Sequence, residues 1–198
     1  MTIIENKYRK VAALMGLSGV IIFSTSLIIL GNLNSNFNFI DDFVSKLGAK
    51  GEPNAIWWNS IGFGFVGMTM IIFGALYGKT LNDKLAGIVL SPFGVGFAFV
   101  SIPIDLLNSE TPVSKAHIIA VCLALAFWLF GLARISYNHS IRKKNRNRAD
   151  LTAILIVIAI IGLVTGSWSM PITHRLVFLI VFGWTAISAI ELLTNNHA

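Results

Sequence analysis

The feature that most constrains this chain is a series of long, nearly uncharged apolar stretches. They cover about residues 11–30, 57–77, 85–104, 114–134, 151–167 and 174–193, each 17 to 21 residues long. An α-helix rises 1.5 Å per residue, so about 20 residues cross the roughly 30 Å hydrocarbon core of a bilayer. Hydrocarbon offers the backbone no hydrogen-bond partners, which leaves helices as the simplest way to satisfy each stretch from within. The predicted fold is all-α: a polytopic integral membrane protein with a six-transmembrane-helix bundle, forming one domain over 1–198.

Composition agrees. Charged residues are 12% of the chain, about half the share of an ordinary soluble domain, and mean hydropathy is +0.76. The net charge of +6 would suit nucleic acid only if the basic residues formed a patch with interleaved aromatics. Instead six of the fifteen (Arg134, Arg142, Lys143, Lys144, Arg146, Arg148) crowd one segment between apolar runs, so nucleic-acid binding is excluded as a function class. The lone Cys122 sits in an apolar run and reads as a packing residue. No cleavable signal peptide is expected, because the first run is longer than a signal core and lacks a small-x-small site.

The polar segments between runs set the topology. Ile40, Phe43, Val44 and Leu47 share one face of a helix, which predicts a short two-turn interfacial helix in the first loop, stopped at Gly48. Trp57 and Trp58 stand where interfacial aromatics belong. Pro53, Pro112 and Pro171, spaced 59 residues apart both times, each precede a return helix. Pro92 with Gly94 and Gly96 predicts a kinked third helix, and Gly62, Gly64, Gly67 and the pair Gly162–Gly166 predict close helix approach. Eleven basic residues fall on the side of the termini and four (Lys46, Lys50, Lys115, Arg175) on the side of the first loop. The positive-inside rule then predicts a multi-pass protein of the cell membrane with both termini cytoplasmic. Its partner is the lipid bilayer, with anionic lipid at the 134–148 loop.

That topology sends Asp41, Asp42, Glu52, Asp105, Glu110, His117, His174 and Arg175 to the outer half. His139 and His197 fall in exposed polar segments on the other side. Asp105, His117 and His174 all belong to the outer ends of helices, where ionisable groups are costly unless paired or hydrated. They are the candidate catalytic residues, with Asp105 orienting His117 and His174 as a second acid–base group. Arg175 is a candidate for binding a lipid phosphate or Asp105. The same residues also fit a purely structural use, an acid and an imidazole tying a loop to the bundle. No metal and no cofactor is expected, since no metal-ligand spacing of the His-x-x-x-His kind is present. Ser45 has no base at a diagnostic spacing and is not read as a nucleophile.

The first loop also carries Ser45-Lys-Leu-Gly48 and Gly51-Glu-Pro-Asn-Ala55, and farther on Pro103-Ile-Asp105 precedes His117. In these residues and in the order of its apolar runs the chain resembles the domain-of-unknown-function 998 family of prokaryotic six-helix membrane proteins. Lys46 stands where family members often carry an acidic residue. More distantly the loop and the membrane histidine are similar to the autophagy-modulator and GPI-lipid-remodelling membrane families, which implies lipid-linked work. The resemblance adds Ser45, Glu52 and Asn54 to the candidate ligand-binding residues. Three functions remain open: binding of a lipid or membrane partner through a polar pocket at the outer helix ends, catalysis on a lipid or lipid-linked substrate, and transport. Transport is least supported, because the middle of each run has no acidic or basic residue.

Overall fold

The computed structural model describes residues 3–108 and 110–194; His197 lies outside them. Among the described residues helix is the one regular secondary structure, with six main helices: α1 (Ile3–Leu33), α2 (Ala55–Thr80), α3 (Lys84–Phe99), α4 (Pro112–Tyr137), α5 (Lys143–Val164) and α6 (Met170–Thr194). Five are long and apolar enough to cross a membrane, and α3, at sixteen residues, spans about 24 Å. The apolar run 85–104 is longer than its helix because Pro103 lacks an N–H and pushes Ile102 out of helical conformation. Val100 closes the last α-turn, and Ser101 and Ile102 donate in tighter i→i−3 bonds to Ala98 and Phe99.

The helices form a closed ring, each packed on its sequence neighbours and α1 also on α6. The tightest contact is the α2–α3 hairpin, where glycines bring backbone against backbone. A methyl group on Gly78 would stand 2.3 Å from the Gly87 nitrogen, and one on Gly67 would stand 2.6 Å from that of Ala98. Either substitution would force the helices apart. The middle of the ring is aromatic: Trp184 from α6 meets Phe73 and Tyr77 of α2 and Trp128 of α4, all edge-on.

Several local expectations change. The short helix of the first loop is a 3-10 helix, Val44–Gly48, not two α-turns from Ile40. Asn38 captures the backbone N–H of Ile40 with its own side chain, and Phe43 is extended, so helix cannot start earlier. At three residues per turn Val44 and Leu47 share the buried face, whereas Ile40 and Phe43 are exposed. Trp57 is at the surface, but Trp58 is fully buried. It opens a π-helical segment, Trp58–Phe65, for which apolar periodicity gives no signal. Gly162–Gly166 is a helix end, not a packing seam. Gly166 takes the left-handed φ of +72° after α5, Ser167 N–H returns to the Gly162 carbonyl, and the Trp168 ring lies over Gly162. The basic loop shrinks to residues 138–142, since Lys143, Lys144, Arg146 and Arg148 ride the first turns of α5, where lysine and arginine are good helix formers.

Candidate functional site

At the loop end of the bundle, Arg175 on α6 reaches up into the first loop. It donates to the carbonyls of Asp42 at 2.6 Å and of Ile40 and Asn38 at 3.3 Å, and to Pro171 on its own helix at 3.0 Å. Its charge is therefore spent on loop backbone that no helix or sheet satisfies. Asp42 accepts from the Asn38 N–H at 2.7 Å and from Lys46 at 2.8 Å. Burial alone would raise its carboxyl pKa, but the Asn38 and Lys46 hydrogen bonds and the charges of Lys46 and Arg175 hold it below the ordinary value. Lys46 is the ion-pair partner of Asp42.

Asp105 is used in the same way. It follows α3 in the second loop and accepts from the N–H groups of Leu107 and Asn108 at 3.1 and 3.2 Å, with Lys50 at 3.6 Å. His117, buried in the second turn of α4, donates from Nδ1 to the Ile102 carbonyl at 2.9 Å. A carbonyl can only accept, so Nδ1 carries a proton. Asp105 and His117 are thus each bonded elsewhere, and the expected orienting pair is not formed.

The two imidazoles border one aromatic wall, at opposite ends of it. His117 meets Phe63, which continues through Phe97 and Phe178 to His174, 4.5 Å from Phe178 between ring centres. Two buried polar atoms on this wall have no hydrogen-bond partner, Nδ1 of His174 and Nε1 of Trp58. Glu52 accepts from the buried Asn34 at 2.8 Å, Asn54 supplies the left-handed turn (φ 61°) whose carbonyl starts α2, and Ser45 is buried in the 3-10 helix. These three hold the loop. Beside them a groove of about 460 Å³ opens between the loop, the π-helical segment of α2 and the end of α3, lined by Lys50, Ile56, Asn59, Ser60, Gly64 and Ser101.

The opposite, basic end contains groups that sequence reasoning did not connect. Asp83 caps α3 by accepting from the Ala86 N–H and also binds Arg134 at 2.8 Å and Asn138 at 2.6 Å. Glu191 on α6 is held by Arg148 and Lys144 of α5. These partners are tens of residues apart, which no spacing rule detects. A cavity of about 390 Å³ lies beside them. Among the described residues no group of three or more His, Cys, Asp or Glu could hold a metal ion.

Residues 17–191 match the family model described as "Protein of unknown function (DUF998)". The chain belongs to that family. The DUF998 match takes in both ends of the bundle, including Lys50, Asp105, His117, His174 and Arg175 as well as Tyr77, Asp83 and Arg142. Tyr8 and Arg9 precede the DUF998 match, and Leu192 follows it. No curated protein and no solved structure matches the chain.

Proposed function

We propose that this DUF998 protein is a multi-pass protein of the cell membrane, both termini cytoplasmic, that binds a lipid headgroup in the groove beneath its first loop. The groove itself carries the reading. Its volume is that of a small-molecule site, its polar lining (Lys50, Asn59, Ser60, Ser101) adjoins apolar Ile56, and Ile56 and Trp57 are 73% and 59% exposed to where acyl chains would lie. Lys50 gives the lip a positive charge beside Asp105, suited to a phosphate or a zwitterionic headgroup. The π-helical segment widens α2 at this point, a distortion often met at functional positions. At the other face the basic residues of 134–148 would meet anionic lipid.

The test is lipid retained by the protein in native mass spectrometry from a defined bilayer. Ser60→Phe, which fills the groove, and Lys50→Gln, which discharges its lip, should each lower retention severalfold with unchanged melting. Equal retention by both variants would rule the groove out. A second reading, catalysis on the bound lipid, draws support from the unpartnered His174 Nδ1 and Trp58 Nε1. It has to proceed through His117 and His174 without Asp105. A lipidomic comparison of cells with and without the protein separates the readings, since only catalysis changes lipid identity.

A further inference from the structure

The groove under the first loop has two opposite charges at its rim, held side by side by backbone. Lys50 donates its N–H to the Ile104 carbonyl at 3.0 Å, which ties the first loop to the residue preceding Asp105. The Asp105 N–H donates to Ser114 Oγ at 3.1 Å, so the acid is also anchored to the start of α4. Its Oδ1 accepts from the N–H groups of Leu107 and Asn108, and its Oδ2 faces the Lys50 ammonium at 3.6 Å. That separation is longer than a hydrogen bond, so the charges are neighbours placed by their loops rather than a closed pair. The Lys50 side chain is 56% exposed and that of Asp105 26%, which leaves both able to take a further partner. Lys50 lines the groove together with Ser60 and Ser101, whose hydroxyls can donate to phosphate oxygens. Among the described residues no aromatic ring lines it.

Given that the groove is a lipid-headgroup site, on which this step rests, we propose that the headgroup is phosphoethanolamine. Its phosphate lies on Lys50 and its primary ammonium on Oδ2 of Asp105. A zwitterion laid against a fixed cation and a fixed anion meets each charge with its opposite. A phosphatidylglycerol headgroup supplies only the negative half and sets it beside Asp105, a like charge at short range. Choline supplies both charges, but its quaternary ammonium has no N–H to donate and is recognised by aromatic rings, which the groove lacks. A primary ammonium has three donors, which suits a carboxylate. Exposed Ile56 and Trp57 beside the groove give acyl chains a surface to lie on, so the amine belongs to a lipid and not to a soluble amine phosphate.

The test places the full chain in nanodiscs with equal parts of phosphatidylethanolamine, phosphatidylglycerol and phosphatidylcholine of identical acyl chains. Native mass spectrometry then compares the lipids retained. Phosphatidylethanolamine should be retained about three- to tenfold over each of the others, as expected for a partly exposed charge contact. Asp105→Asn keeps an acceptor for Leu107 and Asn108 and removes only the charge, so it should erase the preference and leave phosphatidylglycerol favoured. Glu110→Gln removes an equal charge from the same loop, at a residue paired with Lys115, and should keep the preference. Should Asp105→Asn melt early, the parent alone decides: with mono- and dimethylated phosphatidylethanolamine in the discs, retention should fall with each methyl group added. Retention that Ser60→Phe abolishes but that is equal among headgroups overturns the phosphoethanolamine assignment and leaves the groove a lipid site. A preference that Asp105→Asn leaves intact does the same. Retention that Ser60→Phe leaves unchanged removes the groove, and the assignment with it.

Discussion

The two ends of the bundle use charge in opposite ways. The loop end has four basic and five acidic residues, and the basic end has eleven basic and four acidic. At the loop end the charged groups bond mostly to backbone: Arg175 to carbonyls of the first loop, Asp105 to amides of the second, Asp42 to the Asn38 N–H. At the basic end they bond to one another across helices, as Asp83 does with Arg134 and Glu191 with Arg148. The difference follows from the chain between the helices. Long irregular loops expose carbonyls and amides that need partners, while the short turns at the basic end satisfy their own backbone and leave charges free to stitch helices. A cluster of polar residues is therefore weak evidence for chemistry where loops are long.

The largest effect expected from this contrast is at Asp83. Its side chain is 2% exposed and joins the α3 N-terminus to Arg134 and Asn138, so Asp83→Ala should cost about 3 kcal/mol in a denaturant or SDS titration. The figure is at the low end for a buried pair because the Arg134 side chain is 39% exposed and can rehydrate. Burial pushes the Asp83 carboxyl up, but the Ala86, Asn138 and Arg134 bonds more than offset this and hold it below the ordinary 3.8. A depressed folded-state pKa stabilises fully above the unfolded value and is lost as pH falls through the folded one. The parent should therefore lose stability below about pH 4, and the variant should show a flatter acid limb. A cost under about 1 kcal/mol would mean that the basic end is not stitched by its charges.

The membrane bundle was readable from the sequence because hydrocarbon imposes one rule on every residue of a span. The cytoplasmic side was inferred from charge alone. What could not be read were features set by partners distant in sequence. Spacing showed Asp105 and His117 near helix ends, but not that Leu107, Asn108 and Lys50 would take the carboxylate, nor that Ile102 would take the imidazole. The π-helical turn at Trp58 leaves no periodic trace, so a tryptophan expected at the interface is buried. The place of His117 and His174 along the chain was legible, since both lie one or two turns inside their helices.

Arg175→Ala tests the loop end with a smaller effect. Four carbonyls lose a charged donor, though solvent can reach the loop once it lifts, so the expected cost is about 2 kcal/mol and local. Hydrogen exchange should rise over residues 38–48 while the helices stay protected. Arg175→Lys should recover only part of the protection, because one ammonium cannot span carbonyls that a guanidinium fork reaches together. Exchange rising equally in α5 would show that the loop supports the whole bundle instead of being tied to it.

The smallest expected change is the most informative for deciding whether the loop end is scaffold alone. His174 stands between Phe43 and Phe178, and its Nδ1 is buried without a partner. Phenylalanine keeps a ring in that place and removes a polar atom whose desolvation is uncompensated. If the pocket is only packing, His174→Phe should be neutral or stabilising, within about 1 kcal/mol. If a water or a lipid hydroxyl occupies Nδ1 in the bilayer, the substitution strips a real bond and leaves that partner stranded, and stability should fall by about 1–3 kcal/mol instead. The second outcome would place a ligand against the imidazoles and make the loop end a site in its own right, ending the contrast with the basic end. Measuring the variant both in detergent and in nanodiscs tells water from lipid, since a lipid-dependent loss disappears when the lipid does.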